Sequence, residues 1–340
     1  HWPLAFPQIF GDQGRGGFDV MLGNPPWERI KLQEQEFFSS QAPEIAAANN
    51  AAARTRMIDA LQTSHNPAEK RLYQQFQLAK QSAEGSSAYA RMSGRFPLSG
   101  RGEVIVYAVL AEDVAKAINP KGRAGVIVPT GIATDDSTKF FFGWLAEENR
   151  LASLFDFENR EKIFKAVDSR MKFCLMTLGC DIRQVKLAFF ATQPHQLADE
   201  RRCFSLSSEE FALINPNTLT CPVFRSQKDA ELTKKLYRAA PVLIREATEQ
   251  RDEENLWGIK FSRLFDMSTD SGLFRTHEQR TNAQTSLLPL YEAKMVHHYD
   301  YRWATYETDG ETSRDCTLTE KQNPHYQTLP RYWVPENEGT

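Results

Sequence analysis

The sequence predicts an α/β fold that gives way to a mixed α+β region. Three observations carry this. Short apolar runs bounded by turn residues recur at 18–23, 124–128 and 151–157, as buried strands require. Helix-forming stretches separate these runs as far as residue 150. Beyond about residue 200, short strand-like and helical pieces mix with polar loops, and charge rises at 245–254.

The elements follow in order. Residues 1–17 are Gly- and Pro-rich and read as loop. Phe18–Gly23 reads as a short buried strand. Asn24-Pro25-Pro26 must stop it, because proline cannot donate to a ladder. Residues 44–61 and 67–83 hold good helix formers with no internal proline. Residues 94–102 are loop, 103–118 a strongly apolar helix, and Asn119-Pro120-Lys121-Gly122 its stop. A second strand is expected at 124–128, ended by Pro129. Thr134-Asp135-Asp136-Ser137 offers N-caps for a helix to about Glu148. Strands at 151–157, 171–178 and 185–191 complete the sheet, the last ones as an antiparallel hairpin.

Composition excludes several classes. The chain has 340 residues, 41% hydrophobic and 25% charged, so it can bury a core and is not disordered throughout. No apolar run reaches the roughly 18 residues of a membrane helix. His1-Trp2-Pro3 lacks the basic and apolar regions of a signal peptide. The five cysteines show no CxxC spacing, which predicts reduced thiols in a cytoplasmic protein with no zinc site. A net charge of −3 gives no overall basic footprint, so any nucleic-acid surface must be local. The opening at His1 inside a folded stretch, and the ending without a helix stop, suggest a fragment of something longer.

The sharpest motif is Asn24-Pro25-Pro26-Trp27, directly after the first strand. The carboxyl end of a strand is where ligands sit in open α/β sheets. An exocyclic amine has two hydrogens to donate. The Asn24 side-chain oxygen and the Pro25 carbonyl, its direction fixed by the rings of Pro25 and Pro26, can accept both. Trp27 can stack on a base removed from its helix.

Phe18-Asp19-Val20-Met21-Leu22-Gly23-Asn24-Pro25-Pro26-Trp27 resembles the catalytic strand and loop of N6-adenine DNA methyltransferases. Gly122-Arg123-Ala124-Gly125-Val126-Ile127-Val128-Pro129 resembles the next sheet strand of that family. Ile163-Phe164 and Ser169-Arg170-Met171-Lys172-Phe173-Cys174-Leu175-Met176 resemble its hairpin region, whose aromatic contacts the flipped adenine. Ile214-Asn215-Pro216-Asn217-Thr218, the stretches at 265–271 and 289–295, and Pro330-Arg331-Tyr332-Trp333-Val334-Pro335 resemble the recognition portion of type IIG restriction-modification and phage-defence methyltransferases. Ala293 departs from the glycine expected there.

The resemblance implies a partial Rossmann-like class I methyltransferase sheet. Residues 1–200 would be the C-terminal part of the catalytic domain, with a helical insertion at about 40–95. Residues 201–340 would be an incomplete target-recognition region. It implies double-stranded DNA as partner and S-adenosylmethionine as methyl donor, with Asn24, Pro25, Pro26 and Trp27 catalytic and Phe164 a second contact to the base. The family's donor-binding glycine turn, which follows a strand, is absent. Residues 11–17 are glycine-rich but precede a strand, and 266–272 lack a Gly-x-Gly turn. The donor loop is therefore expected outside the chain.

Lys294, His297, His298 and Arg302 stand among Tyr291, Tyr299, Tyr301 and Trp303 and read as a DNA-facing surface. Metal binding by His297-His298 is disfavoured, since adjacent strand residues face opposite ways. Lys228, Lys234, Lys235, Arg238 and Arg245 are spaced like a solvated helix face. Glu292-Ala293-Lys294 lacks the upstream Pro-Asp of a nuclease core, and whether a nuclease lies elsewhere in the parent protein stays open. Two other readings remain: a DNA-recognition module without activity, and an RNA or protein-amide methyltransferase, since such a loop reads an sp² amine and little else.

Overall fold

A computed structural model describes residues 2–11, 16–249, 251–262, 264–281 and 285–338. The chain divides into two compact units, His1–Trp257 and Gly258–Thr340.

The first unit is built on a mixed six-stranded sheet. Its strands are β1 (Phe18–Gly23), β2 (Ile118–Pro129), β3 (Leu151–Glu158), β4 (Lys172–Leu178), β5 (Val185–Ala191) and β6 (Phe204–Leu206), in the order β1-β2-β4-β3-β5-β6. β1 runs parallel to β2, and β5 parallel to β3. β4 is antiparallel to both β2 and β3 and lies between them. The antiparallel hairpin is therefore β3–β4, and β5 lies on the far side of β3. Asn24, Pro129, Glu158, Lys172 and Ala191 consequently all stand at one end of the sheet, the carboxyl end of its parallel strands.

One face of the sheet carries the main core. Val126, Val128, Leu154, Cys174, Met176, Leu187 and Phe189 alternate along the strands and meet helices α3 (Val106–Ala117) and α4 (Lys139–Glu147). α1 (Ala51–Thr63) and α2 (Pro67–Met92) belong to the expected helical insertion. The insertion has its own small core, including Phe38, Ile45, Ile58, Leu61 and Phe76. Asn50 and Asn66 accept backbone N–H groups at the first turns of α1 and α2, as N-caps do.

Three expectations are corrected. Phe18–Gly23 is a strand but not a buried one: Val20 is 64% and Leu22 82% exposed. The cause is position, because β1 is the edge strand and pairs with β2 alone among the described residues. Residues 1–17 are not all loop, since Trp2–Ala5 and Pro7–Phe10 form single helical turns on Phe18. Asn119-Pro120-Lys121-Gly122 does not separate helix from strand. It lies inside β2 as an irregularity, where the register jumps from Phe18–Ile118 to Val20–Arg123. Asn119 anchors it by donating to Asp19 Oδ1 at 2.7 Å.

The first compact unit also runs past residue 200. β6 extends the sheet, and Phe204, Leu206, Phe211, Cys221 and Ala230 join the main core, carried partly on α5 (Ser208–Ile214) and α6 (Gln227–Ala239). The second unit holds two two-stranded sheets, β7 (Leu287–Leu290) with β10 (Tyr332–Pro335), and β8 (Ala304–Tyr306) with β9 (Ser313–Asp315). No helix among the described residues is long and apolar enough to cross a membrane.

Candidate active site at the carboxyl end of the sheet

The Asn24–Trp27 loop leaves β1 where Gly23 pairs with Val126. Asn24 and Pro26 are exposed, Pro25 and Trp27 half-buried. The Trp27 indole N–H is shared between Asn24 Oδ1 at 3.1 Å and the Ile127 carbonyl at 3.2 Å. That pair of contacts ties the loop to β2 and fixes which amide atom of Asn24 faces the ring.

Beneath the loop lies an aromatic cluster. Trp27 stacks on Phe173 at 6.1 Å and 27°, and Phe173 on Phe157 at 5.5 Å and 12°. Phe164 meets Trp27 edge-on at 6.0 Å and 83°, and Phe173 at 4.9 Å. Sequence reasoning thus put Asn24, Trp27 and Phe164 into one site, and they do converge. The geometry differs from a parallel slot, because edge-to-face rings leave no gap for a base between them. Phe173 itself is buried.

Phe164 owes its place to Asn159, a residue the sequence did not single out. Asn159 is fully buried. Its amide donates to the carbonyls of Phe164, Val167 and Asp168 at 3.0–3.3 Å and accepts the Phe164 N–H at 2.9 Å. One side chain therefore shapes the loop that presents Phe164. An Asn after an apolar strand looks like any turn residue, so no sequence signal marked it.

A second missed residue is Asp156. It is buried, and its oxygens accept the Thr130 hydroxyl at 2.5 Å and the Phe190 N–H at 2.9 Å. Burial pushes its carboxyl above the ordinary aspartate range, against these two hydrogen bonds. Nearby, Glu158 pairs with Arg160 at 2.5 Å and Lys172 at 3.2 Å.

The glycine-rich stretch at 11–17 does not fit a donor cradle beside Asn24. Residues 12–15 lie outside the described ones. Gly17 packs at the other end of β1, where a Cβ would come within 2.6 Å of the Ala117 carbonyl. The 266–272 stretch forms a turn in which Asp270 Oδ2 accepts the Asp266 N–H at 2.7 Å.

The other candidate contacts lie in the second unit. Lys294, His297 and His298 are exposed. Lys294 is 3.4 Å from Glu292 and lies over the Tyr306 ring, contacts that raise its ammonium's affinity for its proton. His297 stacks on Trp303 at 4.4 Å. Arg302 is differently placed: its guanidinium donates to the carbonyls of Asn323 at 2.8 Å and Lys321 at 2.6 Å.

No family model and no curated protein matches the chain. Solved structures do resemble it weakly. The methyltransferase subunit of a type I restriction-modification system from Streptococcus thermophilus superposes with a TM-score of 0.35 and 13% identity, over 65% of this chain and 41% of that one. The type IIG restriction endonuclease BpuSI gives a TM-score of 0.31 and 15% identity, over 56% and 19%. A modification subunit of a type I restriction enzyme from Vibrio vulnificus gives 0.27 and 12%, over 34% and 31%. The chain thus spans less than half the length of each.

Proposed function

We propose that the protein is the base-binding and DNA-reading part of a site-specific DNA adenine-N6 methyltransferase, of a restriction-modification or phage-defence kind. The observation that carries this reading is the Asn24–Trp27 loop: an exposed amide at the carboxyl end of a parallel strand, directly above a cluster of aromatic rings.

The target adenine leaves the duplex at a cost of a few kcal/mol of unstacking. It settles on the open side of Trp27, or between Trp27 and Phe164 once the rings part. Asn24 Oδ1 keeps a lone pair beyond its bond to Trp27, and the Pro25 carbonyl supplies a second acceptor. Both accept hydrogens from the adenine amine. These bonds strengthen as positive charge develops on nitrogen, so they favour the transition state over the ground state. S-adenosylmethionine would supply the methyl group. No glycine cradle stands beside Asn24 among the described residues, so no step here runs through the donor.

The test is Asn24→Ala in the whole protein. Methylation of duplex DNA should be lost while duplex binding stays. Turnover near that of the parent would overturn the reading. Calorimetric titration of S-adenosylmethionine into the present chain, beside the whole protein, tells whether these residues hold the donor on their own.

A further inference from the structure

β5 carries a bulge at the carboxyl end of the sheet. Phe155 pairs with Ala188 and Phe157 with Ala191, so Asp156 alone faces Phe189 and Phe190. Phe190 takes a left-handed backbone, with φ at 59°. That is an unusual conformation for an aromatic residue and persists only where the surroundings impose it. Asp156 imposes it here, through the carboxylate bond to the Phe190 N–H and the second bond to Thr130.

The bulge turns the Phe190 ring toward two cations. Lys172 Nζ lies 5.1 Å from its centroid, and Arg225 Cζ 4.6 Å. They come from different elements, the start of β4 and the segment ahead of α6. Both side chains are exposed. Lys172 shares Glu158 with Arg160, while Arg225 has no carboxylate at ion-pair distance among the described residues. Three cations, Lys172, Arg160 and Arg225, thus stand together, while the carboxylates of Asp156 and Glu158 are both buried. Lys172 stands at the same end of the sheet as Asn24, its side chain on the face opposite to that of its strand neighbour Phe173.

We propose that Arg225 and Lys172, assembled on the Phe190 ring, clamp a backbone phosphate of DNA at the end of the sheet that also carries the Asn24 loop. The inference rests on the DNA reading above and adds a site to it. A guanidinium stacked on a ring keeps its N–H edge free to fork onto two phosphate oxygens. The ammonium supplies a second charge from a separate element. Two cations on an open surface suit a polyanion, which lies across them and reaches other contacts at the same time. DNA engaged at Asn24 meets this same end of the sheet, where a backbone contact would help to position it.

The experiment follows binding of a fluorescent random-sequence duplex between about 50 and about 200 mM KCl. Arg225→Gln and Lys172→Gln should each flatten the slope of log K against log salt by about 0.9 and weaken binding several-fold at low salt. Arg225→Lys should keep the slope. Arg183→Gln, an exposed cation in the β4–β5 turn at the opposite end of the sheet, should change nothing. Slopes unchanged in Arg225→Gln and Lys172→Gln, or equally changed in Arg183→Gln, overturn the clamp while leaving the DNA reading intact. A parent protein that binds no duplex overturns both. Inorganic phosphate at matched ionic strength is the last arm. If it displaces duplex from the parent but not from Arg225→Gln, free anion and DNA backbone share the site, as the clamp requires; phosphate bound by the parent and lost in Arg225→Gln, with no effect on duplex binding, assigns the site to a free phosphate group and overturns the clamp.

Discussion

The Trp27 indole N–H lies 3.1 Å from Asn24 Oδ1, so the aromatic wall of the site also orients its amide. Trp27→Phe separates these roles. Phenylalanine keeps a ring against Phe173 and Phe164 but loses the N–H shared by Asn24 and Ile127. One neutral hydrogen bond is worth about 0.5–1.5 kcal/mol, which is roughly two- to tenfold in rate if felt only in the transition state. The expected result is a fall in kcat of that size in single-turnover methylation by the whole protein, with duplex affinity retained. A fall in affinity with kcat intact would make the ring, and not the N–H, the part that matters.

Asp156 and Phe190 give a stability prediction with a definite sign. The buried carboxyl sits above its unfolded value, so folding favours its protonated form. Its favourable contribution is full below the ordinary aspartate pKa and is lost as pH rises through the raised folded value. Asp156→Asn removes the charge. Its amide oxygen can take the Phe190 N–H, and its NH₂ can reach Thr130. Melting temperatures of parent and variant should therefore draw apart in the variant's favour as pH climbs from acid to neutral. Asp156→Ala leaves the Phe190 N–H without its acceptor and should cost about 1–3 kcal/mol in acid, a cost that shrinks as pH rises to neutral. A pH-independent difference between parent and Asp156→Asn would contradict the linkage.

These two residues also mark how far the sequence could be read. The alternation of short apolar runs with helices placed β3 to β5 within a residue or so and the apolar half of β2, because burial writes itself into composition. The Asn-Pro-Pro-Trp loop was legible because no simple turn needs that set of groups. The exposure of β1 was not legible: Val20-Met21-Leu22 is as apolar as any central strand, and only pairing tells an edge from a centre. The role of Asn159 and the Phe190 bulge were hidden for another reason. One depends on side-chain bonds to backbone five to nine residues along the same loop and the other on a register slip, neither of which leaves a periodic trace.

Arg302 distinguishes a charge that binds from a charge that holds structure. Its guanidinium spans the Lys321 and Asn323 carbonyls at the end of a short helix, Leu318–Gln322, while Lys321 bonds Asp300 at 2.7 Å. Arg302→Ala should lower the stability of the second unit by about 1–2 kcal/mol, discounted for partial exposure. Limited proteolysis after Leu318–Gln322 would report it. The salt slope of duplex binding should stay as in the parent protein. A slope flattened by about 0.9 with unchanged stability would return Arg302 to the list of phosphate contacts.

The cysteines test the core directly. Cys174 and Cys221 are buried in the main core, and burial pushes both thiols well above their usual range; Cys316 is buried and raised in the second unit. Cys180 and Cys203 are only half-buried. The thiolate is the reactive form, so a raised pKa and a closed surface act in the same direction. With an alkylating reagent near neutral pH, peptide mass spectrometry should find Cys180 and Cys203 modified first. Cys174 and Cys221 should react only as fast as the first unit opens, and a destabilising change such as Asp156→Ala should speed both together. Cys174 labelling at the rate of Cys203 would mean that β4 is not sealed beneath α3 and α4.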